Sequence, residues 1–354
     1  MAPLLRVEDL YHNRPRYLKD TQGGCMAQVP LIDIGPFLDG GLEAKQAVAK
    51  KLDEACRKIG FLVIEGHGVS EDLIAEVHEV SEEYFALPFW EKMRFKMPPD
   101  RYRGYTPMGT EGLALSLGNE TPPDLKESFS IGPFKHPYDE YYFGAAGARY
   151  FAPNMWPDQP ARMRRIWEQY FSEMEELAAS LMRIFAVALG MPELTFEDKI
   201  NRHITNFSAI RYPGQEKIEP AAKQLRAGAH TDYGSLTIVQ TNTDVGGLEV
   251  MTNEGKWEGV PWMPNTFSVN IGDLMAEWTN DRWVSTLHRV ANPPRDRAST
   301  HKTSLLFFHQ PNYDATIECL PTCVNEENPE KYGRTTSGEH VTMKINKHRI
   351  EEAV

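Results

Sequence analysis

The segment His230-Thr231-Asp232 carries an imidazole and a carboxylate two residues apart, shortly before an apolar run that starts at Leu236. In an extended chain, residues i and i+2 point to the same side. We therefore predict that both side chains face one site at the edge of a β-strand. Such a pair can supply two ligands of a metal ion, and it can equally be an ordinary surface pair.

A third ligand is available from His288, which lies in the predicted strand WVSTLHRVANP. Two histidines and one carboxylate form the facial triad of non-haem Fe(II) oxygenases, which leaves three coordination positions open. Zinc is an alternative metal, since triads of two histidines and a glutamate also bind zinc. On spacing alone, a surface pair plus an unrelated strand histidine fits the sequence about equally well.

The elements that must position these residues are short and rich in β-formers. They are separated by clusters of Gly, Pro, Asn and Asp, which predicts an antiparallel sandwich or barrel. The predicted strands lie in HITNFSAIRY, SLTIVQTN, GLEVMT, FSVNIG, WVSTLHRVA and KTSLLFFHQ. A long helix is predicted upstream, from Asp158 to Gly190. Its apolar residues share one face, so we expect it to brace one of the sheets.

The N-terminal part shows a strand–helix–strand–helix pattern over residues 29–85, with Ser70 predicted to cap the second helix. Residues 89–157 are rich in Pro, Gly, Tyr and Phe and show little periodicity, which is typical of functional loops. We interpret residues 1–157 as a cover region with an irregular substrate loop. Residues 158–354 then hold the bracing helix, the β-rich core and a C-terminal tail, and both parts form one catalytic unit. The tail segment INKHRIEEAV is expected to fold over the mouth of the site as a lid helix.

Charge and cysteine usage exclude several classes of protein. The 354 residues carry a formal net charge of −12 and no basic run, which argues against nucleic-acid binding. The cysteines are too few and too scattered for a disulfide framework, and they lack zinc-finger spacing: Cys25, Cys56, Cys319 and Cys323. No signal-peptide core or membrane-spanning stretch is found. We expect a cytoplasmic monomer or weak homo-oligomer that acts on a small molecule, with no nucleic-acid or membrane partner.

Several motifs, taken in order, resemble the isopenicillin N synthase-like family of Fe(II)/2-oxoglutarate-dependent dioxygenases over almost the whole chain. VPLIDIGPF and ACRKIGFLVIEGHGV resemble the family's N-terminal cover. GAHTDYGSLTIV, DVGGLEV, VNIGDLMAEWTND and STLHRV resemble successive strands of its double-stranded β-helix, and FFHQPNYDA resembles the strand after the co-substrate anchor. The resemblance implies a mixed α/β, mainly β fold, with a jelly-roll core, an N-terminal α/β cover and a long bracing helix.

The resemblance assigns the iron to three side chains: His230, Asp232 and His288. The family anchors 2-oxoglutarate with an Arg-x-Ser triplet, and the matching triplet here is Lys302-Thr303-Ser304. Ser304 fits, whereas Lys302 replaces a planar two-pronged donor by a compact point charge. Tyr212 matches a family tyrosine that hydrogen-bonds the bound acid, and a core tyrosine is the alternative interpretation.

The activity implied by the resemblance is oxidation of an unactivated carbon. Fe(II), 2-oxoglutarate and O₂ act together through an Fe(IV)=O oxidant, and succinate and CO₂ are released. Hydroxylation, desaturation and ring closure are all compatible with the motifs, and specialised metabolism is the setting implied by relatives. By family analogy, four residues line the substrate site, with the first two positioned to receive a carboxylate or phenol: Arg103, Tyr105, Phe308 and Asn312.

Three alternatives remain at this point. An oxidase of the isopenicillin N synthase type uses the same triad without 2-oxoglutarate, and Lys302 makes that alternative more credible. A non-enzymatic barrel could bind a small acid without iron, although the intact triad argues against it. A zinc hydrolase would need a general base beside the triad, and the sequence offers no obvious one.

Overall fold

The N-terminal region packs helices against two strands of the main sheet. The computed structural model describes residues 29–99 and 101–345. The first elements are β1 (Leu31–Asp33), α1 (Gly35–Asp39), α2 (Leu42–Lys58), β2 (Phe61–Glu65), α3 (Glu71–Phe85) and α4 (Phe89–Met93). The Ser70 side chain accepts a hydrogen bond from the Leu73 amide, as predicted for the cap of α3. β1 and β2 pair in parallel, and β2 pairs with a strand of the core.

The middle of the chain alternates between further strands and helices. In chain order they are β3 (Gly104–Thr106), β4 (Glu127–Ile131), α5 (Glu140–Phe143), α6 (Met163–Ala188), α7 (Glu197–Ile200) and β5 (Asn206–Tyr212). The remaining elements are β6 (Ala227–His230), β7 (Leu236–Thr241), β8 (Leu248–Met251), β9 (Trp257–Gly259), β10 (Phe267–Ile271), α8 (Asp273–Trp278), β11 (His288–Val290), β12 (Lys302–His309), β13 (Thr316–Ile317), β14 (Thr335–Thr336) and α9 (Ser337–Ile345).

Two sheets build the core. The larger has eight strands in the order β1-β2-β10-β7-β12-β5-β4-β3, and the smaller has four in the order β6-β11-β8-β9. All described pairs in these two sheets are antiparallel except β1 with β2. This arrangement confirms the predicted jelly-roll core with an α/β cover.

Side chains of the larger sheet alternate between a helix-covered face and an inner face. Phe129, Phe207 and Phe307 point outward to α6, where Trp167 meets the first two rings at 5.6 and 4.7 Å between centroids. Phe307 packs against Phe171 of the same helix at 5.2 Å. Because strand residues alternate in direction, their sequence neighbours face the inside of the jelly roll. The helix therefore braces the sheet, as predicted.

Two sequence predictions about elements were wrong in their bounds. The long helix begins at Met163 and not near Asp158, because residues 158–162 form bends and turns in which the Met163 amide bonds the Pro160 carbonyl. Residues 89–157 are not wholly irregular, since they contain β3 and β4, which form one edge of the larger sheet. The pattern Glu127-Ser-Phe-Ser-Ile131 alternates with a period of two, but it is only five residues long.

Some predictions fall on residues outside the described ranges. They concern the first 28 residues, with Cys25, and the tail from residue 346 onward, with most of the predicted lid. Cys56, Cys319 and Cys323 are buried free thiols. Within the described ranges, none of the helices combines the length and the hydropathy that a membrane-spanning segment needs.

Candidate functional site

His230 and Asp232 lie at a corner where the chain passes from one sheet to the other. His230 is the last residue of β6, and Asp232 lies in the connection to β7. The two residues thus lie at the end of a strand and face one site, as predicted, although only His230 belongs to the strand itself. The corner is tight, because a Cβ on Gly234 would lie 2.3 Å from the carbonyl oxygen of His309. This turn carries the carboxylate to the inner side of the smaller sheet.

His288 reaches the same corner through strand pairing. β11 runs antiparallel to β6, and His288 stands directly opposite His230. The two imidazole rings lie 4.3 Å apart between centroids. The predicted strand around His288 is shorter than expected, since β11 begins at His288 itself. The pairing of the two strand ends, and not their length, brings the rings together.

The three side chains present their ligand atoms to one point. The Nε2 atoms of His230 and His288 lie 3.7 and 3.6 Å from Oδ1 of Asp232. The candidate ligand atoms all fall within 4.8 Å of one another, and all three residues are buried. Across residues 29–99 and 101–345, this is the only group of three or more such side chains with metal-binding spacing.

Backbone carbonyls hold both imidazoles in the tautomer that a metal requires. Nδ1 of His230 bonds the Gly228 carbonyl at 2.8 Å, and Nδ1 of His288 bonds the Thr286 carbonyl at 3.1 Å. Because a carbonyl oxygen only accepts, each Nδ1 carries the hydrogen and each Nε2 keeps its lone pair. This arrangement is typical of metal-binding histidines, whose second nitrogen is oriented by an outer partner.

The Asp232 carboxylate is likewise held with one oxygen free for a ligand. Its Oδ2 accepts a hydrogen bond of 2.7 Å from the side-chain amide of Asn270. Burial opposes its ionisation, but His288, His230 and this hydrogen bond lower its pKa on balance. Burial and the neighbouring His288 lower the pKa of His230. Neutral imidazoles and an ionised carboxylate are the protonation states in which these groups bind a divalent cation, so the donor set fits Fe(II).

The residues predicted to anchor the co-substrate line the same cavity as the triad. Lys302 and Ser304 lie on β12, and Tyr212 stands opposite Lys302 on β5. The Lys302 ammonium donates a 3.1 Å hydrogen bond to the Gly246 carbonyl. Burial, with a smaller effect of Arg226, lowers the pKa of Lys302 to about 8. This end of the cavity therefore holds a buried cation beside two hydroxyl groups, which suits a carboxylate.

Arg103 lines another part of the cavity and is 3% exposed. Its two terminal nitrogens each donate a 2.8 Å hydrogen bond to a backbone carbonyl, those of Tyr102 and Tyr150. Gly132 makes room for the guanidinium, since a Cβ there would lie 1.8 Å from Nη2. Burial lowers the pKa of Arg103 to about 10, and within the described ranges no carboxylate pairs with it. Phe308 also lines the cavity.

Tyr105 and Asn312 do not lie on the cavity wall, which corrects the expectation that they face the substrate. Tyr105 points to the helix-covered side of its strand, and its hydroxyl donates to Glu127 at 2.6 Å. Asn312 follows β12 and accepts a 2.6 Å hydrogen bond from the Arg202 amide. Both residues have structural contacts, because strand alternation and a turn direct them away from the cavity.

Sequence reasoning missed several polar residues of the cavity. Lys126 lines it and pairs with Glu111 at 2.6 Å, and Asn270 orients the Asp232 carboxylate. The repeat Lys126-x-Ser128-x-Ser130 was the available signal, because its polar positions share one side of an extended chain. A buried polar stripe beside β4 would have indicated a wall of the site.

Both halves of the chain match families of known proteins. Residues 29–159 match the N-terminal family described as "non-haem dioxygenase in morphine synthesis N-terminal", and residues 201–311 match the 2OG-Fe(II) oxygenase superfamily. A rice homoarginine-6-hydroxylase, 2-ODD-233, is 33% identical over 91% of this chain and 98% of its own length. Validamycin A dioxygenase of Streptomyces hygroscopicus subsp. limoneus is 30% identical over 82% and 78%.

Solved structures show the same fold. A full-length Neurospora crassa protein in complex with alpha-KG superposes with a TM-score of 0.78 at 30% identity, covering 90% of this chain and 96% of the Neurospora chain. The complex of the same protein with alpha-KG and thymine gives the same TM-score at 29% identity over the same shares of the two chains.

These matches do not favour the oxidase that works without 2-oxoglutarate, because the relatives include a protein named as a 2-oxoglutarate-Fe(II) type oxidoreductase and one solved with alpha-KG. They support an Fe(II)- and 2-oxoglutarate-dependent oxidoreductase over a hydrolase or a non-enzymatic barrel. The matches of both halves and the 33% identity over nearly the full length show that this chain belongs to the 2OG-Fe(II) oxygenase superfamily.

Proposed function

We propose that His230, Asp232 and His288 bind the Fe(II) ion and that Lys302 binds the far carboxylate of 2-oxoglutarate. Ser304 and Tyr212 contribute hydroxyl groups to the same carboxylate. The observation that carries this proposal is the shared cavity, which has the triad on its wall together with the buried ammonium. We further propose that residues 1–157 and 158–354 act as one catalytic unit.

The bound iron, with 2-oxoglutarate and O₂, would supply the oxidising power. The protein orients the metal ligands and provides the positive charge that binds the co-substrate. The carbonyls of Gly228 and Thr286 keep the two imidazoles oriented, and Asn270 leaves one carboxylate oxygen of Asp232 free. Apolar residues between the polar ends limit the access of water to the cavity: Leu113, Ile210, Val239, Leu248, Val290 and Leu306. Substrate carbon is thereby held beside the metal while water is kept away.

The substrate that we propose is a small molecule with an anionic group that binds Arg103, while Phe308 supplies an apolar wall. Relatives are named for homoarginine and validamycin A, and the Neurospora crassa protein was solved with thymine, so small polar molecules are the common class. We propose hydroxylation in specialised metabolism, with desaturation and ring closure as the other outcomes of the same oxidation. The acidic charge and buried free thiols support a cytoplasmic protein, which we propose to be a monomer or weak homo-oligomer.

An anaerobic titration tests the function. Protein loaded with Fe(II) is titrated with 2-oxoglutarate, and visible absorption is recorded. We expect a metal-to-ligand charge-transfer band that grows and saturates, because the keto acid chelates the iron. If iron is bound and no band forms, the protein is an oxidase that takes all its electrons from its substrate.

Lys302 is expected to make binding of 2-oxoglutarate depend on pH. Its pKa is lowered to about 8, so the side chain is charged at neutral pH and loses its proton as the pH rises through about 8. Affinity is therefore highest below this pH and falls above it, by up to about tenfold per pH unit. Calorimetric titrations over a pH series measure this fall. The Lys302→Arg variant keeps its charge and should show no fall, and an equal fall in that variant would assign the titration to another group.

Replacing Arg103 by methionine is expected to weaken substrate binding selectively. Removing one partner of a buried charge pair typically costs about 2 kcal/mol or more, which corresponds to at least about thirtyfold in KM. The measurement is succinate formation with a panel of small carboxylic acids that includes homoarginine. The Kd for 2-oxoglutarate is the control and should stay within about threefold. An unchanged KM for the acid that is turned over would exclude Arg103 from the substrate site.

A further inference from the structure

Arg226 lies directly behind the proposed co-substrate anchor. It precedes β6, is 1% exposed, and donates from Nη2 to the carbonyls of Thr300 at 2.5 Å and Pro213 at 3.3 Å. Pro213 follows Tyr212, and Thr300 stands two residues before Lys302. These bonds place Arg226 at the end of the β5–β12 pair that carries the anchor.

This end of the jelly roll has two buried cations and no carboxylate paired with either one in residues 29–99 and 101–345. Among the described residues, Lys302 bonds the Gly246 carbonyl alone, and Arg226 bonds the two carbonyls already named. The Nε of Arg226 is buried without a partner. Burying like charges together is unfavourable unless an anion neutralises them. A site with these two buried cations therefore binds an anion more favourably than a site with only one of them.

We propose that Arg226 is the second cation of the 2-oxoglutarate anchor. The proposal rests on the function proposed above and concerns a residue outside the Arg-x-Ser pattern. Lys302 contacts the far carboxylate from the cavity wall, and Arg226, which is not on the wall, adds positive potential from behind. Arg226 is thus a positioning residue. It offsets part of what is lost when the two-pronged donor of an arginine is replaced by the point charge of Lys302.

The other charged groups near Lys302 do not take this role. On β5 stands Tyr212, whose pKa is influenced by the charges of Asp124 and Lys126. The others are Asp244 and Arg297 beside the loop of Gly246, and Glu82 on α3. Asp244 is largely exposed and pairs with Arg297 at 3.5 Å. Glu82 accepts a hydrogen bond from Thr303, which points to the opposite face of β12. In residues 29–99 and 101–345, Arg226 is the charged group that, after burial, lowers the pKa of Lys302.

The test compares Arg226→Met, which removes the charge, with Arg226→Lys, which keeps it. The Kd for 2-oxoglutarate is measured by anaerobic calorimetry on Fe(II)-loaded protein across a pH series. Each variant is also combined with Lys302→Arg. At each pH, the Kd measured with Lys302 present is divided by the Kd measured with Lys302→Arg, and this ratio isolates the titration of Lys302, because arginine keeps its charge. We expect Arg226→Met to weaken binding roughly tenfold at neutral pH, as expected for one buried charge at several ångströms. The alkaline midpoint of the ratio should rise by about one pH unit, because the repulsion on Lys302 is gone.

If Arg226 supports the fold only through its hydrogen bonds, the result is different. Substitution would then weaken 2-oxoglutarate binding but leave the alkaline midpoint of Lys302 unchanged. That outcome overturns the proposal, as does an unchanged Kd in Arg226→Met. The matched control is Arg295→Met, which removes an exposed guanidinium paired with Glu219 and should change neither quantity. If Arg226→Met does not fold, Arg226→Gln, which also removes the charge but keeps a hydrogen-bond donor, decides by the same two readouts. Arg226→Lys is the charge-keeping control, with affinity expected within about threefold of wild type. Wild-type protein that binds no 2-oxoglutarate would contradict the proposed function itself.

Discussion

Replacing Asp232 by alanine is expected to abolish Fe(II) binding and turnover while the fold is retained. Asp232 is the single anionic member of the triad, and the two imidazoles beside it are neutral when they bind a metal. Loss of an outer partner of a metal ligand already costs about 10- to 100-fold in affinity. Loss of the ligand itself should therefore exceed about a hundredfold. The fold should survive because Asp232 lies in a connection between strands and bonds mainly the side chain of Asn270.

Equilibrium dialysis with Fe(II) measures the loss, and thermal unfolding of the metal-free protein checks the fold. Asp244→Ala is the matched control, since its carboxylate is largely exposed and pairs with Arg297. That variant should bind iron like the wild type. Retained turnover in Asp232→Ala would show that the ion is bound elsewhere.

Replacing Lys302 by methionine is expected to weaken 2-oxoglutarate binding by about a hundredfold or more and to leave Fe(II) binding intact. The ammonium is the cation on the cavity wall at this end, and a buried carboxylate without it would lack its direct partner. Methionine keeps the length and apolar character of the side chain, so the loss reports charge and not volume. The Lys302→Arg variant should keep or tighten binding, because a guanidinium can grip a carboxylate with two hydrogen bonds.

Anaerobic titration of the charge-transfer band measures both Lys302 variants. Lys51→Met, on the exposed side of α2, is the control for loss of one lysine charge. Wild-type affinity in Lys302→Met would move the anchor to another cation of the cavity. A large loss in Lys302→Arg would instead show that the compact ammonium and its bond to Gly246 have a specific role. Together with Asp232→Ala, these variants separate the metal half of the site from the co-substrate half.

The alternation of side chains along the strands accounts for most of the cavity-lining residues that could be predicted from the sequence. The period of two in β12 directs Lys302 and Ser304 inward and Phe307 toward α6. The same rule applied to the short strand β3 would have excluded Tyr105, whose neighbour Thr106 lines the cavity. The three-residue β3 gives too short a pattern to distinguish from a loop, so the sequence does not reveal the direction of Tyr105.

Residue types and local periodicity predicted the candidate ligands, the β-rich core and the bracing helix. The resemblance to the dioxygenase family implied the iron triad and the departure at Lys302. Residue types and periodicity could not predict where the ligands meet. His230 and Asp232 lie at a corner between the two sheets, and the register of β11 against β6 places His288 opposite His230. The same is true of Arg226, which lies far from Lys302 in the sequence and bonds the carbonyls that flank the β5–β12 pair. Strand register and long-range packing depend on the whole core, so no local pattern in the chain could specify these contacts.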